Sequence, residues 1–287
     1  MPRNKPVKLK PVKPSRAVAN RYARDIAVLI KAMVRDYWGL VVIYKDKRWQ
    51  VSGDDIGGVW LTTEIEKRFK TLGKKWQKEF EKFAEGKSKE VIAKILKQTD
   101  LQLKSSLKDY MASQYFMLIG ETIPVSMRIM MKAQVAENVA LIKSIPEEFK
   151  HRIEGAVYRA ITGSGTLRNL RDEIAKYGDM SLRRAKLISS DQTSKIFSVL
   201  AMQRMKQAGI RRCMWVHTGR GKTHREYHKR KWDGVSGLKD GRPNGLNGFI
   251  FDMDNPPVIE QKTGQRGIPG ELPFCHCEVA PVIDGGE

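Results

Sequence analysis

From Val18 to Leu200 the apolar residues of this chain recur at steps of three and four, and after Gly209 that spacing stops. A step of this size puts one apolar stripe along a helix, so the first two thirds must bury its stripes by packing helix on helix. Val18, Tyr22, Ile26, Leu29, Met33 and Tyr37 predict a packing helix ending near Trp38 and Gly39. Leu40 to Tyr44 and Arg48 to Val51, around the polar turn Lys45 to Lys47, predict a short hairpin. Ile65, Phe69, Leu72, Trp76, Phe80 and Phe83 give the cleanest helical period, with Thr62 or Thr63 as cap and Gly86 as stop. Such an aromatic stripe reads as core or as a partner interface.

Further helices are expected at about Lys89 to Lys97, Leu101 to Phe116, Met127 to Lys143 and Glu147 to Ile161. Gly163 to Gly165 breaks the pattern, and Thr166 to Tyr177 resumes it before Gly178. Ser181 can cap a long helix that stops at Gly209, with Leu182, Ala185, Ile188, Ile196, Val199 and Leu200 facing inward. Ser189, Ser190, Asp191, Gln192 and Thr193 interrupt that stripe, so this turn must face solvent or hydrogen-bond to another element.

Beyond Gly209, Gly and Pro become frequent, and Cys213 to His217 and Phe249 to Asp252 predict short strands. The expected fold is mainly α with a small α+β C-terminal domain. Its divisions are a basic, Pro-rich arm (1–16), a helical N-terminal region with a short hairpin (17–127), a second helical part (128–209) and a loop-rich part (210–287).

The 287 residues carry a formal charge of +21, unevenly placed. Residues 1–20 hold six Lys or Arg and no acid, with Pro2, Pro6, Pro11 and Pro14 blocking helix and leaving an extended arm. Ser181 to Lys231 holds 14 basic and 2 acidic residues, whereas Phe251 to Glu287 holds 2 basic and 7 acidic. A basic arm and a basic segment together fit non-specific contact with double-stranded DNA, where neutralised phosphates release counterions. The candidate contacts are Arg183, Arg184, Lys186, Lys195, Arg204, Lys206, Arg211, Arg212, Arg220, Lys222, Lys229, Arg230 and Lys231. No zinc-finger, RNA-recognition or basic-zipper pattern marks a sequence-specific reader. The longest uncharged stretch, Tyr110 to Gly120, is too short to span a bilayer, and Ile26 to Ile30 is too short for a secretion signal, so no membrane partner is expected.

All three cysteines and four of the five histidines lie beyond Gly209. Cys275 and Cys277 are too close for a framework disulfide, which favours a reducing compartment or metal ligation. His224, His228, Cys275 and Cys277 have the chemistry of a zinc site, and two readings stay open: structural zinc, or thiols packed as small apolar groups beside hydrogen-bonded histidines. The sequence His224-Arg225-Glu226-Tyr227-His228 places Arg225 where a metalloprotease needs its general base. An enzymatic alternative is a nuclease-like, metal-assisted set of Arg225, Glu226, His228 and Asp233 in the C-terminal domain.

From about Asn138 to Val282 the chain resembles the phage Mu F-like minor head (head morphogenesis) proteins of tailed bacteriophages. The resemblance rests on Arg183 to Ile188 running into Asp191-Gln192-Thr193, on Gly209-Ile210 leading to Trp215, and on Arg225-x-x-His228 followed by Asp233-Gly234. Pro256-Pro257, Gly264, Pro269-Gly270, Cys275-x-Cys277 and Pro281-Val282 close it in the family's order. His276 replaces the Arg usual between the cysteines, and His224 the small residue usual before Arg225. The resemblance implies a non-enzymatic, low-copy protein of the phage head, near the portal vertex inside the virion and in the host cytoplasm during assembly. Portal, capsid or scaffold proteins would be its partners, and residues 128–287 its head morphogenesis domain. It would act in head assembly and in holding or delivering packaged DNA.

Overall fold

A computed structural model describes residues 7–46, 55–108, 122–161, 167–219, 225–234 and 242–283. In chain order the elements are β1 (Val7–Lys8), α1 (Arg16–Asp46), α2 (Asp55–Leu107), α3 (Val125–Ile161), α4 (Leu167–Gln207), β2 (Arg212–Val216), α5 (Glu226–Lys229), β3 (Ile250–Asp252), β4 (Val258–Glu260), β5 (Gln265–Arg266) and β6 (Glu278–Ile283). The protein is mainly helical, with a small C-terminal region of short antiparallel strands. Among the described residues no helix is long and apolar enough to cross a membrane.

The helices run further than their local signals predict. α1 passes through Gly39, because Val41 continues the buried stripe of Met33 and Tyr37, and burying it outweighs the roughly 1 kcal/mol a helical glycine costs. Leu40 to Tyr44 is therefore helix rather than half of a hairpin, and Arg48 to Val51 lies outside the described residues. Thr62, Thr63 and Gly86 all sit inside α2, Gly86 between the fully buried Ala84 and Ser88. α3 runs through Pro146, and the turn is held from the side: Ser144 Oγ donates to Leu141 O (2.7 Å) and Gln77 Nε2 to Lys143 O (3.5 Å). Gly178 and Ser181 lie inside α4, where Ser181 Oγ bonds back to Tyr177 O (2.9 Å) instead of capping a new helix.

The chain divides into two compact units that do not follow the expected boundaries at 127 and 209. One, the helical unit, holds residues 20–89 and 135–189; the other, the C-terminal unit, holds 1–19, 90–134 and 190–287. Each of α1 to α4 contributes residues to both, since nothing breaks these long helices where the composition changes.

In the helical unit Tyr37 packs against Phe69 and Phe149, at ring separations of 5.6 and 5.2 Å. Gly73 and Gly178 let helices approach closely: a Cβ at Gly178 would come within 2.9 Å of Val34. In the C-terminal unit α4 ends as expected at Gly209, which takes φ +76° while its N–H bonds Lys206 O and that of Ile210 bonds Met205 O, each at 3.0 Å. An antiparallel sheet then forms in the order β1-β6-β2-β3, with β4 and β5 as a separate hairpin.

The described part of the basic arm, from Val7, is extended, as Pro11 and Pro14 require, yet it is not free. Val7 and Lys8 pair with Ile283 and Val282, and the N–H groups of Leu9 and Val12 donate to Pro281 O and Val279 O. Leu9 and Val12 are buried while Lys8, Lys10 and Lys13 point outward, so one face of the arm docks and the other carries the charge. Lys13 and Gln102 exchange hydrogen bonds of 2.8 Å in both directions, fixing the arm to α2.

Candidate metal centre

β2 buries alternate residues, Cys213 and Trp215, on one face, and the same alternation carries on to His217 just beyond its end. The β2–β6 register runs from Arg212↔Val282 to Val216↔Glu278; one further step sets His217 opposite Cys277. α5 supplies His228, almost fully buried, and an extended stretch before β6 supplies Cys275 and Cys277. Residues two apart in extended backbone share a side, which lets this tight pair face one partner together.

His228, Cys275 and Cys277 offer ligand atoms that all lie within 4.8 Å of one another, so the group could hold a metal ion. His228 Nδ1 is 3.5 Å from Cys275 Sγ and 3.9 Å from Cys277 Sγ, and His217 Nδ1 is 3.6 Å from Cys277 Sγ. His228 Nε2 lies 2.9 Å from Ile259 O, a carbonyl that can only accept. The proton is therefore on Nε2, and Nδ1 presents a lone pair to the sulfurs. Trp215 stands edge-on to His228 with ring centroids 5.0 Å apart. Its indole N–H is buried without a hydrogen-bond partner among the described residues. The hydrogen bond from Cys277 lowers the Cys275 thiol well below its ordinary value despite burial. Cys277 is pushed up by its bond to that thiolate and by burial. All three cysteines are free thiols; Cys213, deeply buried with its thiol pushed up by desolvation, is not part of the group.

The segment leading into Cys275 is pinned from two sides. Asp191, in the polar turn of α4, accepts from the N–H of Phe274 at 2.6 Å, and Phe274 takes φ +58°, a left-handed conformation rare without glycine. Arg225 donates to Pro273 O at 3.2 Å. Gly270 has φ +84° and lies so close to α4 that a Cβ would meet Ser198 Oγ at 2.8 Å. The polar turn of α4 thus bonds another element, and Gln192 and Thr193 are buried within it.

Asp191, Gln192, Thr193, Trp215, Arg225, His228, Gly270, Cys275 and Cys277 all belong to this region of the C-terminal unit. Pro269 precedes Gly270 in the loop against α4. Asp233 and Gly234 stand apart: the Asp233 carboxylate accepts from Asn244 Nδ2 at 2.8 Å, and Gly234 makes a turn at φ +90°. The nuclease-like set is not assembled as a surface site, since His228 is 2% exposed while Glu226 and Asp233 are exposed. His224, expected as a ligand, lies outside the described residues, whereas His217, unnamed from sequence, stands beside the group, 3.6 Å from Cys277 Sγ. The alternation Cys213, Trp215, His217 is the sequence signal that could have found it.

The candidate DNA contacts also divide. Arg204 is a correction, because it is 1% exposed and cannot reach a phosphate in this fold. Its guanidinium meets Asp100 through Nε (2.7 Å) and NH2 (3.2 Å), and also Thr122 O and Gln207. Arg184 pairs with Glu148 at 2.9 Å and Lys206 with Asp254 at 2.5 Å; Lys195 and Arg212 are half-buried. Arg183 and Lys186 are exposed in the helical unit, and Arg211, Lys229, Arg230 and Lys231 in the C-terminal unit. Arg220 and Lys222 lie outside the described residues.

No protein-family model and no solved structure matches this chain. It is similar to an uncharacterized protein of Haemophilus influenzae, 24% identical over 280 residues, which takes in 98% of this chain and 56% of that protein's length. The chain thus spans little more than half of the relative it matches.

Proposed function

We propose that this chain is a non-catalytic structural protein of a tailed-phage head, associated with the portal vertex, that acts in head assembly and in holding or delivering packaged DNA. One observation carries the reading. Of the Mu F-like signature, Asp191 and Arg225 hold the segment that leads into Cys275 and Cys277, and Trp215 packs on His228, so these residues gather at a buried His and Cys centre instead of lining an accessible cleft, while Asp233 and Gly234 stand apart. Buried thiols, an edge-on tryptophan and a loop pinned to α4 are what a scaffold needs to hold its shape. An acid–base catalyst needs its groups within reach of substrate. The ion that suits this centre is zinc, whose borderline softness matches mixed sulfur and imidazole ligands. It would tie the end of the chain to α5 and stabilise the fold.

Two experiments test the reading. Expressed with the other head genes of its phage, the full chain should co-purify with portal protein and with mature heads; absence from both sinks the assignment. Duplex DNA should bind without sequence preference, and replacing Lys229, Arg230 and Lys231 by Ser should flatten the salt dependence by about 0.9 in log–log slope for each phosphate no longer neutralised. DNA cleavage with divalent metal that His228→Ala abolishes would overturn the non-catalytic reading.

A further inference from the structure

The metal reading leaves three protein ligands, and a three-ligand zinc site keeps an open position for water or substrate, as catalytic sites do. We infer that His217 is the fourth ligand, so that His217, His228, Cys275 and Cys277 form a closed, tetrahedral, structural zinc site. This rests on the metal reading of the same centre and adds its coordination and its class.

Three observations support it. With Zn–S near 2.3 Å and Zn–N near 2.0–2.1 Å, tetrahedral angles set sulfur and nitrogen about 3.5 Å apart. His217 Nδ1 stands 3.6 Å from Cys277 Sγ, beside the 3.5 and 3.9 Å of His228 Nδ1 from the two sulfurs, and its ring would turn further inward to come within 4.8 Å of every other ligand atom. Secondly, His217 is held in place by its neighbours. Its N–H donates to Asn247 Oδ1 at 3.1 Å, and the adjacent Thr218 hydroxyl donates to His276 O at 2.8 Å, between the two cysteines. The strand end and the Cys-x-Cys segment are thereby stitched together with the ring facing sulfur. Thirdly, a backbone carbonyl stands 2.9 Å from His228 Nε2, the outer partner that fixes a metal-ligating imidazole with Nδ1 toward the ion. His217 is also the least buried of the four, which gives the ion a way in.

The full-length chain, purified without chelator, is analysed for zinc and then reconstituted with cobalt(II), whose visible bands report coordination number and whose near-ultraviolet bands report thiolate ligands. One metal per chain and the intense visible bands of four-coordination are expected. His217→Ala should keep the thiolate bands, lose visible intensity and weaken binding at least tenfold. His217→Cys should restore four-coordination and strengthen the thiolate bands in proportion to a third sulfur, a gain that misfolding does not produce. His224→Ala should change nothing. Metal uptake with a spectrum and affinity unchanged in His217→Ala overturns the role of His217 and leaves the centre standing, as does a loss that follows His224→Ala instead. Wild-type protein that takes up neither metal stoichiometrically removes the centre itself.

Discussion

Gly270 shows how much a single position carries. Its backbone takes φ +84° and its missing side chain leaves room for Ser198, so Gly270→Ala meets both strain and a clash. A loss of about 2 kcal/mol or more is expected in denaturant unfolding. Asp191 acts on the same segment, bonding the N–H of the left-handed Phe274 at 2.6 Å. Removing a charge-assisted bond of this kind in Asp191→Ala should cost about 1.5–3 kcal/mol and lower metal affinity, because Cys275 follows immediately. Both residues stand out in the sequence as parts of an ordered signature. Their tasks are not legible there, because the clash at Gly270 and the bond at Asp191 are made with partners far along the chain.

Among the elements, α4 separates local from long-range influence most clearly. Its stop at Gly209 is predictable, because the cap is built from four neighbouring residues. Its continuity through Gly178 and Ser181 is not, because packing against α1 outweighs the local break signals. Arg204 makes the same point in charge. It reads as a cationic surface residue, yet α4 turns it onto Asp100 of α2. Burial is the largest influence on Asp100 and holds its carboxyl above the usual range in spite of Arg204. A raised folded pKa means that this carboxyl's contribution to stability is full below its unfolded pKa and declines as pH rises through the folded one. Substituting asparagine at Asp100 should therefore flatten that part of the stability–pH curve. Asp100→Ala strands a buried guanidinium and should cost about 3 kcal/mol or more, whereas replacing both partners by apolar residues of similar volume should recover most of that loss. A double-mutant thermodynamic cycle reads the difference directly.

Taken whole, the molecule spreads its +21 differently from the way the sequence suggests. The arm keeps its outward lysines but is anchored to β6, Arg204 is buried, and Lys206 is paired. DNA binding should therefore depend on Arg183, Lys186, Arg211 and Lys229 to Lys231, and Arg204→Gln should lower stability without a specific loss of salt dependence. Zinc, on the proposed reading, holds only the C-terminal unit. Chelation should raise amide exchange in β2, β6 and the Cys275 segment while the core around Tyr37, Phe69 and Phe149 stays protected.

Fold class, the helical stripes, the cap at Gly209, the short strands and the Cys and His content of the last third follow from near-neighbour periodicity and composition, which a chain carries before it folds. The extent of each helix, the burial of Arg204, the docking of the arm and the choice of His217 depend on partners tens of residues away. Packing energy exceeds the kilocalorie or so of a local break signal, and the β2–β6 register, continued one step past its last pair, brings His217 across from Cys277.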